Sequence, residues 1–243
     1  MDITLVLALS FFAVALLYAI VGHAGGSGYI AVMVVAGISM VEIRPTALLL
    51  NVVVSAIATV EFARAGHFRS RLLLPFIVGS LPMAYLGGSI HLSQAPFKIM
   101  LGLALLFSAW RLFSKRAESV DTRPLSLLPA VAIGAVIGLF SGLLGIGGGI
   151  FLTPLLLLLC WASPKQAAAV SAPFILVNSI SALAGMGPDF TSELPPHFVE
   201  YVVAVVAGGL IGAHLGSHRL PSKTILTILS AVLLLAGGKM LYV

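Results

Sequence analysis

Long apolar runs follow one another along this chain, separated by short clusters of glycine, proline and polar residues. Five of them, 3–21, 72–90, 125–143, 167–186 and 224–243, are about 17 to 20 residues long, which lets an α-helix rising 1.5 Å per residue cross roughly 30 Å of hydrocarbon. The pattern predicts an all-α polytopic membrane protein. Two shorter apolar segments, 29–40 and 150–161, each follow a glycine-rich break directly. A helix entering the break, a short helix leaving it and three further spans make one unit. Two units give about eight full spans with each broken pair counted once, or about ten helical segments.

The two units are copies. Gly22, Gly25, Gly28 and Ile30 reappear as Gly142, Gly145, Gly148 and Ile150 at a constant spacing of 120, and the same spacing pairs Asn51 with Ser171. Farther on, Gly79 and Gly87 pair with Gly208 and Gly216 at a spacing of 129, the nine added residues being assigned to the loop around 187–196. The chain thus divides into a first transmembrane repeat, 1–113, a polar cytoplasmic linker, 114–124, and a second transmembrane repeat, 125–243. Broken segments at matching positions of two halves point to the binding site of a secondary transporter. Unwound backbone leaves N–H and C=O groups unpaired, and hydrocarbon tolerates these only where they face protein, a water-filled cavity or a ligand.

Composition agrees with the membrane reading. Sixty per cent of the residues are hydrophobic and 9% are charged, with a mean hydropathy of +1.14; thirteen basic and eight acidic side chains cannot furnish the polar surface of a soluble domain this size. The net charge of +5 raises the question of nucleic acid, but the basic residues sit in short loops without interleaved aromatics. The expected partner is a lipid bilayer and not nucleic acid. Cys160 is the only cysteine, which excludes an intramolecular disulfide and a cysteine metal cluster. The start, Met1-Asp2-Ile3, has no basic n-region and no small-x-small cleavage site follows, so the first run is expected to remain as a span of a multi-pass protein in the cell (inner) membrane.

The basic residues also bear on orientation. Parallel repeats of four crossings put eight on the side of Arg64, Arg69 and Arg71 and five on the other. If each broken pair instead goes down and back, the second repeat is inverted. Ten then lie on the first side (64, 69, 71, 111, 115, 116, 123, 165, 219, 223) and three on the other (44, 98, 239). The positive-inside rule favours inversion.

Candidate chemistry centres on the breaks. A helix N-terminus presents free N–H groups and the positive end of its dipole, and glycine lets an anion approach them closely. Gly25, Gly26, Ser27 and Gly28 precede one short helix; Gly145, Gly147, Gly148 and Gly149 precede the other. Four glycines within 145–149 destabilise any continuous helix, whereas Gly208, Gly212 and Gly216 suit helix packing. Away from span ends no Asp, Glu, Lys or Arg is found, which removes the usual carboxylate proton relay. Within the membrane only His23 and His214 can titrate. His23 either binds an anion or carries a coupled proton, or it bonds a free carbonyl of the break. His214 and His218 have the spacing of a helical metal pair, but no third ligand is apparent in sequence, so neither a metal nor a cofactor is expected. Neutral donors complete the set: Asn51, Ser171 and Asn178 in the spans, Ser27 in the first break, Ser141 before the second and Thr153 after it. No nucleophile–base pair is evident, so no enzyme is expected.

The segment GLFSGLLGIGGGIFLTPLL at 138–156, followed by PKQAAAVS at 164–171, closely resembles the signature of the TauE/SafE family, also called the 4-toluene sulfonate uptake permeases, whose members carry it once in each of two repeats. The first copy departs from it at His23 and Ser27 and lacks a proline corresponding to Pro154. The resemblance spans essentially the whole chain. It implies transport of sulfite, sulfonates, sulfoacetate or related sulfur-containing anions, by export or uptake, with proton-gradient driving. It assigns the motif roles to Gly142, Gly145, Gly147, Gly148 and Gly149, and to Gly22, Gly25, Gly26 and Gly28. The reading of the residues themselves leaves open an anion channel of the same architecture, or a carrier of a non-sulfur organic anion.

Overall fold

The computed structural model describes residues 3–90 and 123–221, with isolated positions at 103, 106, 223, 224, 227, 228, 231 and 234. Eight α-helices lie in the two continuous stretches: α1 Ile3–Ile20, α2 Gly26–Val35, α3 Met40–Arg64, α4 Ser70–Ser89, α5 Leu127–Leu144, α6 Gly149–Leu158, α7 Pro164–Met186 and α8 Phe198–His214. Among the described residues there is no strand. Helices α3, α4, α5 and α7, and α8 together with the turn that continues it to Arg219, are long and apolar enough to cross a membrane, while α1 falls just at that limit and α2 and α6 are half-length. Predicted spans 3–21, 72–90, 125–143 and 167–186 thus correspond to helices. The linker up to residue 122 and the third further span of each repeat, including 224–243, lie outside the described stretches.

Local chemistry sets the ends. Ser163 and Gln166 form a capping box at the start of α7, with Pro164 in the first turn, where its missing N–H costs nothing. The half-helices end in matching turns. Val32, Val34 and Met33 accept from the N–H groups of Ala36, Gly37 and Ile38; Leu155, Leu157 and Leu156 accept from Leu159, Cys160 and Trp161. Both turns need a left-handed residue, supplied by Gly37 (φ 74°) in one and Cys160 (φ 57°) in the other.

These turns correct the repeat register. Gly37 and Cys160 stand 123 apart, as do Gly22 and Gly145, whose φ angles are 73° and 70°, and the left-handed N-caps Gly25 and Gly148. The spacing of 120 is therefore three residues short, since a glycine-rich stretch matches itself at several offsets. Consequently α2 and α6 begin and end earlier than 29–40 and 150–161. The spacing of 129 is wrong by one helical turn: Gly87 packs on the Leu139 carbonyl and its counterpart Gly212 on that of Leu16.

Contacts between glycines and facing carbonyls give the helix directions. A Cβ on Gly208, Gly212 or Gly216 would overlap the carbonyl oxygens of Phe12, Leu16 and Ile20 in turn, so the α8 segment and α1 run parallel. Gly79 and Gly87 meet Val131 and Leu139 in the same way, and Gly134, Gly138 and Gly142 meet Phe76, Ser80 and Ala84, so α4 and α5 also run parallel. Such backbone approach is how helices associate without a hydrophobic driving force in lipid. Helix α2 folds back on α1, with Tyr29 edge-on to Phe11 and Ser27 beside Tyr18. Helix α3 is parallel to α8, because Gly209 faces Val54 while His214 faces Glu61. The first helix of each repeat thus packs beside the last described helix of the other, and α1, α3 and α8 oppose α4 and α5. The second repeat is the first turned over, as the charge distribution predicts.

The same geometry gathers the described basic residues. The α3–α4 turn with Arg64 and Arg69, the α6–α7 turn with Lys165, and the end of α8 with Arg219 share one face. His67 and Lys165 both reach the Ser217 carbonyl, and the Arg123 N–H donates to Cys160. Asp189 and Glu193 lie in the turn between α7 and α8, at the opposite end.

Candidate functional site

The two glycine breaks meet inside the bundle. Gly25 (φ 106°) and Gly148 (φ 83°) cap α2 and α6 in the left-handed region, and no side chain caps either helix start. The first N–H groups of both half-helices are therefore left to whatever occupies the space before them. Around that space stand residues from both repeats. Asn51 of α3 lies against Gly26, with its amide nitrogen 3.3 Å from where a Cβ on Gly147 would be. Ser179 Oγ is 3.1 Å from that point, Ile175 packs over Gly147 and Gly149, and the His23 ring lies 3.4 Å from a Cβ on Gly149. His23 thus crosses from the first break to the second half-helix. Its Nε2 is 2.8 Å from Thr153 Oγ1, which is 2.7 Å from Ser171 Oγ. The imidazole is bonded to a hydroxyl of the other repeat.

Among the described residues seven buried side-chain polar atoms have no hydrogen-bond partner; three of them, His23 Nδ1, Asn51 Oδ1 and Ser179 Oγ, stand around the meeting point, and Ser141 Oγ and Asn178 Oδ1 are two of the others. The Asn51 Nδ2 contact to the Gly145 carbonyl is long, at 3.5 Å. Buried polar groups are normally satisfied, and exceptions cluster where something else is to bind. His23, Asn51 and Ser179 are 2%, 0% and 0% exposed, so these groups are closed to solvent. These side chains carry no fixed charge, so the field comes from two helix N-termini, neutral dipoles and the Arg44 cation packed against Gly145, all favourable to a small anion.

The structure sorts the sequence candidates. It brings together His23, Gly26, Asn51, Gly145, Gly147 and Gly149, with Ser171 joined through Thr153. It does not bring Gly25, Ser27, Gly28, Ser141, Gly148 or Asn178 to that point by any contact it makes. Gly25 packs on the Tyr29 ring, and Gly28 on Val14 and Tyr18. Ser27 Oγ is 2.8 Å from Tyr18 Oη. Gly148 faces Ile137, Phe174 and the Ser141 side chain, and Asn178 donates to the Phe174 carbonyl one turn back. The pairing of Asn51 with Ser171 also changes. Gly26 faces Asn51 as Gly149 faces Ile175, so the counterpart of Asn51 is Ile175. On the corrected register, His23 corresponds to Ile146 and not to Leu143.

Two participants escaped the sequence reading. Ser179 is one serine of three in a short stretch of α7, and only its register opposite Asn51 singles it out. Arg44, read there as a loop residue near a span end, is 8% exposed inside α3. Its guanidinium donates to the carbonyls of Gly142 (2.6 Å), Gly87 (2.6 Å), Gly88 (2.8 Å) and Ile90 (2.8 Å). Gly87, Gly88 and Gly142 lie in the last turns of α4 and α5, whose carbonyls have no helical partner. One buried cation therefore caps two parallel helices where their negative ends converge. It also packs against Gly145, its Cγ 3.0 Å from a Cβ there, and so braces the second break. Arg44 lies near the start of α3, at a span end as the sequence has it, yet buried within the bundle. An Arg-Pro at 44–45 looks like a loop in sequence because α3 starts sooner than the apolar run suggests.

The family model described as sulfite exporter TauE/SafE matches residues 7–240 of the chain. The chain is 42% identical over 241 residues, 97% of either sequence, to the probable membrane transporter protein y4hK of Sinorhizobium fredii. It is 27% identical over 213 residues to the probable membrane transporter protein YunE of Bacillus subtilis, covering 77% of this chain and 75% of that protein. No solved structure gives a significant match.

Proposed function

The chain belongs to the sulfite exporter TauE/SafE family, and on that premise we propose that it is a secondary transporter moving a small sulfur-containing anion, such as sulfite or a sulfonate, by alternating access. It is a multi-pass membrane protein of a transporter family. The observation that carries the finer reading is the meeting of two half-helix N-termini beside three unpartnered polar atoms. Backbone N–H groups of α2 and α6 hold the oxygens of the anion, and the Asn51 amide, turned about its last torsion, adds a donor. His23 donates from Nδ1 or carries a coupled proton. Inverted repeats let one half rock against the other around a fixed site and expose it to either side in turn. The positive-inside rule puts the basic end in the cytoplasm of the inner membrane.

Thermal-shift measurement of purified protein against sulfite, small sulfonates, sulfate, carboxylates and halides tests the substrate class. Sulfite or a sulfonate is expected to stabilise the wild type, and Asn51→Leu to abolish that shift while leaving the unliganded midpoint within a few degrees. Stabilisation by a cation or a neutral solute alone would sink the anion reading. Counterflow in proteoliposomes separates a carrier from a channel, since only a carrier exchanges external for trapped substrate against the net gradient.

A further inference from the structure

At the basic end, α3 and α8 finish side by side and bring together three side chains with metal-binding chemistry. Glu61 Oε2 is 3.4 Å from His214 Nδ1 and 3.9 Å from His218 Nδ1, and one donor atom from each residue falls within 4.8 Å of the others. The third ligand that the histidine pair lacks in sequence comes from a helix of the other repeat. We propose that Glu61, His214 and His218 form a binding site for a divalent transition-metal ion of the zinc class, which staples the end of α3 to the end of α8. This inference does not depend on the anion reading.

The geometry favours a metal over a plain ion pair on three counts. First, the two imidazoles stack at 4.8 Å with 25° between their planes, both offering a nitrogen to one carboxylate. Protonated together they would repel, whereas two neutral imidazoles and a carboxylate are a common zinc ligand set. Tetrahedral coordination with bonds of about 2.0–2.2 Å needs donor atoms roughly 3.3 Å apart. The two exposed rings reach that by small rotations, while Glu61, with 18% of its side chain exposed, stays fixed. Second, α8 passes into a π turn at Leu215–Arg219, closed by Leu220 N–H to the Leu215 carbonyl at 2.9 Å. Such turns recur at functional sites because they re-aim side chains. Third, Ser217 Oγ lies 2.7 Å from His218 Nδ1, the same nitrogen that faces Glu61, and so keeps that ring turned toward the carboxylate until an ion takes the place of the hydroxyl.

Nearby cations oppose the site weakly. The Arg64 guanidinium stands 4.0 Å from Glu61 with 74% of its side chain in the open, and exposed pairs of this kind contribute little. Lys165 and His67 are both drawn to the Ser217 carbonyl. Three protein ligands leave a coordination position for water, so reversible binding is expected, tighter for zinc than for cobalt and negligible for magnesium.

Tag-free protein titrated with zinc chloride, cobalt chloride and magnesium chloride provides the test, read by thermal shift and by calorimetric stoichiometry. Zinc at saturating concentration is expected to raise the melting midpoint by roughly 5 °C or more with one ion per chain, and magnesium not at all. Glu61→Gln and His218→Asn should each remove the zinc effect while keeping the metal-free midpoint. His218 is exposed, so a folding failure of Glu61→Gln alone leaves the question decidable. Zinc stabilisation that persists undiminished in His218→Asn and His214→Asn, or its absence from the wild type, overturns the proposal.

Discussion

Replacing Arg44 by methionine removes the guanidinium and keeps most of the volume of the side chain, so its effect reports the clamp and not a cavity. In the wild type, four carbonyls accept from Arg44. Three of them, from Gly87, Gly88 and Gly142, belong to buried residues in the last turns of α4 and α5. A buried acceptor left without a donor costs about 1–3 kcal/mol, which sets a gross penalty of roughly 3–9 kcal/mol for the three. Burying the cation is itself unfavourable by several kcal/mol, and methionine relieves that cost. The balance is a net loss of about 3–5 kcal/mol, the range found when one partner of a buried charged arrangement is deleted. For a chain of this length each kcal/mol moves the midpoint by about 2–4 °C, so Arg44→Met should melt roughly 6–20 °C below wild type in one detergent at one lipid ratio. Arg44→Lys keeps the charge but not the fork that spans two helices, and should fall between the two. If Arg44→Met melts within about 3 °C of wild type, the carbonyls have other partners and the clamp does not hold α4 and α5 together.

Three further outcomes follow from the same geometry. A methyl at Gly149 would intrude on the Ile175 side chain, whose end can move, and comes within 3.4 Å of the His23 ring; Gly149→Ala should fold normally yet lower uptake at least tenfold, and Ile175→Val in that background should recover part of it, as measured in proteoliposomes. No recovery, with both proteins folded, would mean that room at the breaks is not what limits transport. Gly212→Val drives a branched side chain into the Leu16 carbonyl and should cost about 3 kcal/mol or more by overpacking, seen as a lower midpoint and poorer expression; an unchanged midpoint would show that α1 and α8 are not held backbone to backbone. Cys160→Gly relieves a left-handed backbone worth about 1–2 kcal/mol and should raise the midpoint by a few degrees, whereas a loss would mean that the half-buried thiol contributes more than the strain it sits on.

How much of this was legible in the sequence depends on the length of the signal. Spans of 18 residues or more announce themselves by hydrophobicity alone, and α1, α4, α5 and α7 begin and end within three residues of the runs that predict them. Inversion was legible through the arginines of the loops, because charge asymmetry is set by topology and survives any misplacement of register. The register itself was not. Glycine-rich stretches match each other at offsets three residues apart, and only φ angles and turn hydrogen bonds distinguish 120 from 123. That slip misassigned the partner of Asn51, and it shows why candidates near the break divided as they did. Gly25, Gly28 and Gly148 are needed for turning or for close packing, so they carry the same one-letter signature as Gly26, Gly147 and Gly149 that face the shared space. Arg44 and Glu61 were missed for another reason. Each acts across the bundle on atoms that are distant in sequence, and nothing in its neighbours records that.

Placing the repeats on the corrected register separates what is symmetric from what is not. Symmetric are the features made of backbone: the left-handed caps at Gly25 and Gly148, the turns at Gly37 and Cys160, the parallel contacts of α1 with α8 and of α4 with α5. Asymmetric are the side chains at the breaks, where His23 corresponds to Ile146, Asn51 corresponds to Ile175, and Arg44 of α3 corresponds to Ala168, which packs on Gly22. An inverted repeat needs the first set to be equivalent, because exchange of the two access states is an exchange of roles between halves. It puts no such demand on the second set. On the proposed reading the two helix starts offer an anion a similar field whichever side is open, while His23 and Asn51 of the first repeat, with Ser179 beside Ile175 of the second, fix which way it turns. Selectivity among anions is therefore expected to shift with His23 and Asn51, and transport of any anion to fail with the glycines.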